Sequence, residues 1–351
     1  MFSLPPLAMS NITHKNHYVP QSTLYRWSKN GTHVHAYRVL VSNSKVPEWQ
    51  PRAISGIAFQ PDLYTFFSGD EELDEFEHWI EKEFEPPGLE AIDRLISQRR
   101  LSPTDWKAIA SFVAAQDVRT PLNYILSMQR WQQEVPKIIK DSIQKSVKTL
   151  EAARLEGIKL TPSENKNEFS DLFRVHVNPP SDPMSDEASI QAEVTLGRRF
   201  WIASMRHLLT GAAKTLCQHR WSVAQPHENN EWPITDHPAL RLNFYRPGHY
   251  DFRGGWGNAG SEIMMPVSPR HLLYVQVGKK TNNRFMFSSS ETELVQRLIV
   301  ERSHRWVFSR QPEDWIAKVK PRIVDAEMFA SEENAWLQWH QEHRKAEAGQ
   351  E

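Results

Sequence analysis

The sequence predicts an α+β fold, dominated by helix, with a small antiparallel sheet in its second half. Three observations predict it. Apolar residues recur at helical spacing through most of residues 70–157, over 189–218 and again after 290. Five short strand-like runs follow one another between 220 and 277. Between them lie turn residues, four of the 14 glycines falling from Gly254 to Gly260. Helices, then a sheet, then helices is the order of an α+β domain.

Taken in order, Thr32–Val41 alternates and is β-branched, which suits a strand. Leu73, Phe76, Ile80 and Phe84 mark an acidic helix over 70–84, closed by Pro86 and Pro87. Leu89–Arg100 continues as a second helix. Ser102 is an N-cap, with Pro103 behind it, for a helix reaching about Arg119. Pro121 opens a long helix to about Gly157, which Pro136 should interrupt and kink. Residues 158–185 are polar and Pro-rich and read as a mobile surface loop. Ser189–Gln218 reads as helix. The strand runs are Arg220–Ala224, Trp232–Thr235, Leu240–Phe244, Ile263–Val267 and Leu272–Val277. Helices follow at Glu291–Val307, Pro312–Lys318 and Glu332–Glu347. Residues 1–325 are expected to form one domain, with 326–351 as a charged C-terminal helix or tail.

Charge is balanced in total but not along the chain. With 42 Lys and Arg against 43 Asp and Glu, the net charge of −1 excludes a wholly basic nucleic-acid coat. Residues 70–93 nevertheless carry eleven acidic and one basic side chain, and 241–322 fourteen basic and seven acidic. The late segment is the candidate nucleic-acid surface. The Lys-rich helix 121–157 is a candidate homodimer seam. Mean hydropathy is −0.59 despite 13 Trp and 16 Phe, which implies polar groups built into an aromatic core. One cysteine, Cys217, excludes an intrachain disulfide and a Cys-based zinc site. Met1–Ser10 lacks a basic n-region and is broken by Pro5 and Pro6, so it does not read as a signal peptide. No run approaches the ~20 apolar residues that cross a bilayer. A cytoplasmic protein without membrane contact is expected.

Four patterns stand out: Asn16-His17-Tyr18-Val19-Pro20-Gln21 followed by Leu24-Tyr25-Arg26-Trp27; Phe112 to Pro121, reading FVAAQDVRTP; Trp232 to Pro238, reading WPITDHP; and Glu262 to Pro269, reading EIMMPVSP. In this order and spacing, over about residues 14–310, they resemble domain-of-unknown-function family 4238, a bacterial group. The resemblance implies a fold and a site location but no reaction. Two departures stand out: Thr235 and Asp236 are adjacent where the family usually sets a Ser between them, and Gln296 and Ser303 stand where its late helix usually carries Asn and a small residue.

The motif residues suit chemistry at a phosphate. His17 can transfer protons near neutral pH. Gln21 offers a donor and an acceptor. Gln116 and Arg119 share a helix face, and Arg119 presents a planar fork for an anion. Thr235 supplies a hydroxyl, and Asp236 at a strand end could polarise His17, hold a metal or act as base. These six are the candidate catalytic residues; Tyr18, Arg26 and Ser268 are the candidate substrate-binding residues. Trp256 and Trp306 are candidate stacking platforms. A His14/His17 pair raises a divalent metal, without fixing one. Each residue also has a structural alternative: Arg119 pairing with the 70–93 acidic stretch, Asp236 capping a loop, Ser268 serving a turn. No P-loop, dinucleotide fingerprint or nucleophile elbow occurs. Two functions remain: a hydrolase or nuclease-like, toxin-like enzyme on a phosphate-bearing substrate, at home in phage defence, or a non-enzymatic protein-binding module whose polar motifs lock the fold.

Overall fold

The computed structural model describes residues 12–68, 71–159, 161, 169, 172–179 and 189–348. The reading of Met1–Ser10 and the greater part of the 158–185 reading lie outside them. Helix predominates over strand, 46% against 24%. No helix among the described residues is long and apolar enough to cross a membrane.

All five strand runs between 220 and 277 are strands, but the sheet is neither small nor purely antiparallel. Its six strands run in the order His249–Asp251, Leu240–Arg246, Ser261–Ser268, His271–Gln276, Ser222–Gln225 and Arg284–Met286. The last pairs parallel to Ser222–Gln225, with Val223 opposite Arg284. A second sheet of four strands draws on both halves of the chain: Ile234–Thr235, Trp306–Ser309, His33–Arg38 and Trp49–Ala53. Val307 faces Tyr37 across it.

The helices follow the caps. Ser102 and Asp105 form a reciprocal capping box at the start of Pro103–Val118. Thr120 caps the long helix Pro121–Leu155, and Pro136 sits inside that helix without ending it. Pro86 and Pro87 do not simply close a helix. They occupy the first turn of the next one, Glu85–Ile96, where a missing N–H costs nothing. Gly88 lets that helix lie against Pro103–Val118: a Cβ there would sit 2.5 Å from Cβ of Phe112.

Three expectations are corrected. Phe173–Asn178 and Ser189–Val194 form a hairpin, so 158–185 is not all loop and 189–218 not all helix. Nearly every side chain of the Phe173–Asn178 strand is exposed, which removes the alternation that would have marked it. The helix from Ser289 stops at Arg302, and Trp306–Val307 belongs to a strand.

Large side chains fill the core, and two of the largest are charged: Trp27, Trp201, Trp232, Arg119 and Arg198 are each under 2% exposed. Trp27 Nε1 donates to the Trp232 carbonyl at 2.7 Å. Arg198 donates to both oxygens of Glu347 at 3.0 and 2.6 Å, which docks the C-terminal helix Ala326–Ala348. Buried, paired polar groups of this kind contribute to the low mean hydropathy.

Candidate functional site

The end of helix Pro103–Val118 gathers buried polar side chains. Successive helical side chains diverge by about 100°, so Gln116 and Arg119 point one way, and Asp117 and Thr120 another. None of the four is more than 2% exposed. The helix end is therefore a partition with a polar cluster on each side.

On the first side Arg119 is the hub. Its Nη1 meets Glu85 Oε1 at 2.6 Å and its Nε donates to the Tyr18 carbonyl at 3.1 Å. The Gln116 amide is assigned with its carbonyl toward Arg119, the only orientation that pairs donor with acceptor, and it accepts from Nε at 3.0 Å and Nη2 at 2.9 Å. Burial alone would lower the Arg119 pKa, but Glu85, Tyr64 and Glu77 outweigh it and hold it raised. The acidic stretch does pair with Arg119, through Glu85 as the direct partner rather than Glu77 or Glu81. His17 lies within this field. Burial pushes its pKa down, Lys15 and Arg119 add to that, and a backbone bond at Ser55 opposes it. Its ring packs on Phe59 at 5.5 Å. Its buried Nε2 has no hydrogen-bond partner among the described residues.

Glu77 is the most perturbed acid. Burial, with repulsion from Glu81 and Glu85, raises its pKa from 4.5 to about 8 against the pull of Arg119. The neutral form is the one the fold favours. Its contribution to stability is full below pH 4.5 and is lost as pH rises through about 8. Glu77→Gln imitates the neutral acid. Wild-type stability should fall by up to about 1.4 kcal/mol per pH unit across this window, while the variant stays nearly flat. Urea denaturation from pH 5 to 9 measures it, and parallel curves would refute the assignment.

On the second side Asp117 meets Arg241 Nε and Trp256 Nε1, each at 2.8 Å. Thr120 Oγ1 lies 2.6 Å from His237 Nδ1, and His237 Nε2 is 3.9 Å from Asp117. Burial holds His237 well below the usual histidine range, helped by Arg302 and Arg241. Beyond Asp117 opens a cleft of about 890 Å³, whose walls include Arg130, Arg241, Arg253, Trp256 and Arg302. Arg130 is paired with Glu134 at 3.6 Å. Arg302 lies over Phe252 at 5.4 Å, and its buried Nε has no hydrogen-bond partner among the described residues.

The predicted site residues do not gather in one place. His17, Gln116 and Arg119 come together, with the Tyr18 backbone. The Tyr18 phenol is buried, which raises its pKa far above the usual range, and the Asp236 charge adds to that. Gln21, Arg26 and Ser268 line a different groove of about 1010 Å³. There Arg26 pairs with Asp93 at 2.8 Å, and Ser268 Oγ serves His271 at 2.8 Å and the Arg270 amide at 3.2 Å. Asp236 is a loop clamp. Its carboxylate accepts the backbone amides of His304, Arg305 and Trp306 at 2.8, 2.6 and 3.0 Å. Thr235 Oγ1 donates to the His237 carbonyl at 2.9 Å. The two positions that depart from the family pattern also serve backbone: Gln296 donates to the Glu231 carbonyl at 2.8 Å and Ser303 to the Val300 carbonyl at 2.7 Å.

The sequence reading missed Asp117, His237, Arg241 and Arg302 as site residues. Asp117 and His237 carried a signal, each being an ionisable residue inside a quoted motif and next to a residue already singled out, Gln116 and Asp236. Arg241 and Arg302 carried none; one is an ordinary strand residue, the other an ordinary helix end.

Fold and site together define an α+β protein with a six-stranded mixed sheet and an arginine-lined cleft beside it. Residues 15–313 match the family described as protein of unknown function (DUF4238), and the chain belongs to that family. No curated protein and no solved structure matches it.

Proposed function

We propose that the cleft binds a phosphate-bearing ligand, a nucleotide or a nucleic-acid strand, and that the chain hydrolyses it. The observation that carries the reading is the unpaired, buried Nε of Arg302, beside Arg241 and Arg253 on one cleft. A guanidinium with a free donor in a low-dielectric wall favours an anionic oxygen, such as one carried by a phosphate. The cleft volume falls within the ~300–1,000 Å³ usual for small-ligand sites. Asp117, the buried carboxylate of the lining, orients Arg241 and, in this reading, the attacking water. Neither candidate stacking platform offers a bare face: Trp306 carries Arg38 at 5.0 Å from its ring centre, and Trp256 is 9% exposed. Recognition therefore rests on the arginines.

Titration calorimetry with ATP and with a short single-stranded oligonucleotide tests it. Arg302→Met should weaken binding on the order of tenfold or more, the worth of a charged hydrogen bond. A steep salt dependence would mark the nucleic acid as the ligand. No binding of either probe would end the proposal. The toxin version predicts slower growth of bacteria expressing wild type than of those expressing Arg302→Met. Equal growth would count against it. The second reading, a protein-binding or dimerising module, draws on Ile138, Leu150 and Leu155, which are 58%, 57% and 89% exposed on the long helix.

A further inference from the structure

His14, Asp62 and Glu72 meet at a place that shares no residue with the lining of the arginine cleft. One potential ligand atom from each lies within 4.8 Å of the others. His14 Nδ1 is 2.6 Å from Asp62 Oδ1. Backbone geometry fixes this pair: the Asp62 amide donates to the His14 carbonyl at 2.9 Å, and Asp62 adopts φ 52°, a left-handed conformation that Asp and Asn tolerate best. Glu72 comes from the neighbouring hairpin, Phe66–Ser68 with Glu71–Leu73. Its Oε1 is buried and makes no hydrogen bond among the described residues.

Among the described residues the two carboxylates have histidine neighbours and no Lys or Arg ion-pair partner; His340 Nδ1 is 3.9 Å from Asp62 Oδ2. Arg198 Nη1 donates to the Asp62 backbone carbonyl at 3.2 Å, not to its carboxylate. The Arg198 charge is already met by Glu347. Arg198 Nη1 also lies 3.2 Å from His340 Nδ1. A ring nitrogen facing a guanidinium accepts, so His340 carries its hydrogen on Nε2, which lies 3.3 Å from Glu72 Oε1. His340 is thus a positioning residue that aims Glu72, as partners behind metal ligands commonly do.

We propose that His14, Asp62 and Glu72 bind one divalent transition-metal ion, best matched by zinc. One imidazole and two carboxylates form a mixed N/O set that suits zinc and is poor for magnesium, which prefers oxygen and water. The His14 side chain is 62% exposed, so a water completes the coordination, as in open zinc sites. The ion takes the place of the hydrogen between His14 and Asp62, with His14 bound through Nδ1 as the neutral imidazole and its hydrogen on Nε2.

Native mass spectrometry and calorimetry on the full chain test this, with zinc chloride and magnesium chloride as probes. The expected result is one zinc per chain, with no comparable heat from magnesium. Glu72→Gln and Asp62→Asn keep shape and backbone preference, and each should weaken zinc on the order of a hundredfold, while His340→Leu should weaken it on the order of tenfold. Circular dichroism confirms that each variant is folded, and two conservative ligand variants guard against the loss of one. Unchanged zinc affinity in a folded Glu72→Gln protein, or no zinc bound to wild type, overturns the proposal. Neither result bears on the phosphate cleft.

Discussion

Arg119→Met should lower stability by about 3–5 kcal/mol, the usual cost of removing one partner from a buried ion pair. The guanidinium is fully buried and has three different partners: Glu85, Gln116 and the Tyr18 carbonyl. Removing it strands the Gln116 carbonyl in the core. It also withdraws the positive charge that opposes the rise in Glu77 and Glu81. Arg119→Lys keeps the charge but not the fork, and should lose roughly half as much. Urea midpoints at pH 6 and pH 8 read both variants. The deficit of Arg119→Met should grow at pH 8, because losing Arg119 lifts the Glu77 pKa further and the variant goes on losing stability where wild type levels off. A loss under about 1 kcal/mol would overturn the reading of Arg119 as the hub of this buried cluster.

Asp236→Ala is the second large effect, about 3–5 kcal/mol. Three consecutive amides, those of His304, Arg305 and Trp306, lose their acceptor at once. Each unsatisfied amide costs about 1–3 kcal/mol, and the three losses overlap because one loop relaxes them together. Asp236→Asn retains one acceptor oxygen and should fall between. Hydrogen exchange at 304–306 should accelerate ahead of the rest of the four-stranded sheet. Wild-type protection there in a folded Asp236→Ala protein would show that the clamp is redundant.

What the sequence conveyed was whatever is local. The N-cap at Ser102, the Thr120–Pro121 restart and the five strands between 220 and 277 depend on neighbours in the chain, and all were readable. The end of the Ser289–Arg302 helix was not, because the residue that holds the following loop is Asp236, nearly seventy positions earlier. The hairpin at 173–194 was hidden for the opposite reason: it buries little, so no core imposes a pattern on it. The candidate site divides the same way. Gln116 and Arg119 could be paired from helical spacing alone. That Asp117, on the same turn, looks into a cleft with Arg241 and Arg302 needed the tertiary fold. Asp236 was correctly singled out as a polar residue at a strand end, but its partners are amides rather than His17.

The four-stranded sheet has a consequence for the order in which the chain can fold. Its strand Trp306–Ser309 lies between His33–Arg38 and Ile234–Thr235. During synthesis His33–Arg38 can pair early with Trp49–Ala53 on one side only. Its other edge stays open until residue 309 has left the ribosome. An unpaired edge is a template for the wrong strand, and pairing over so long a separation closes slowly. The N-terminal half is thus the segment most exposed to misassembly, and truncations that end before Trp306 should aggregate rather than fold.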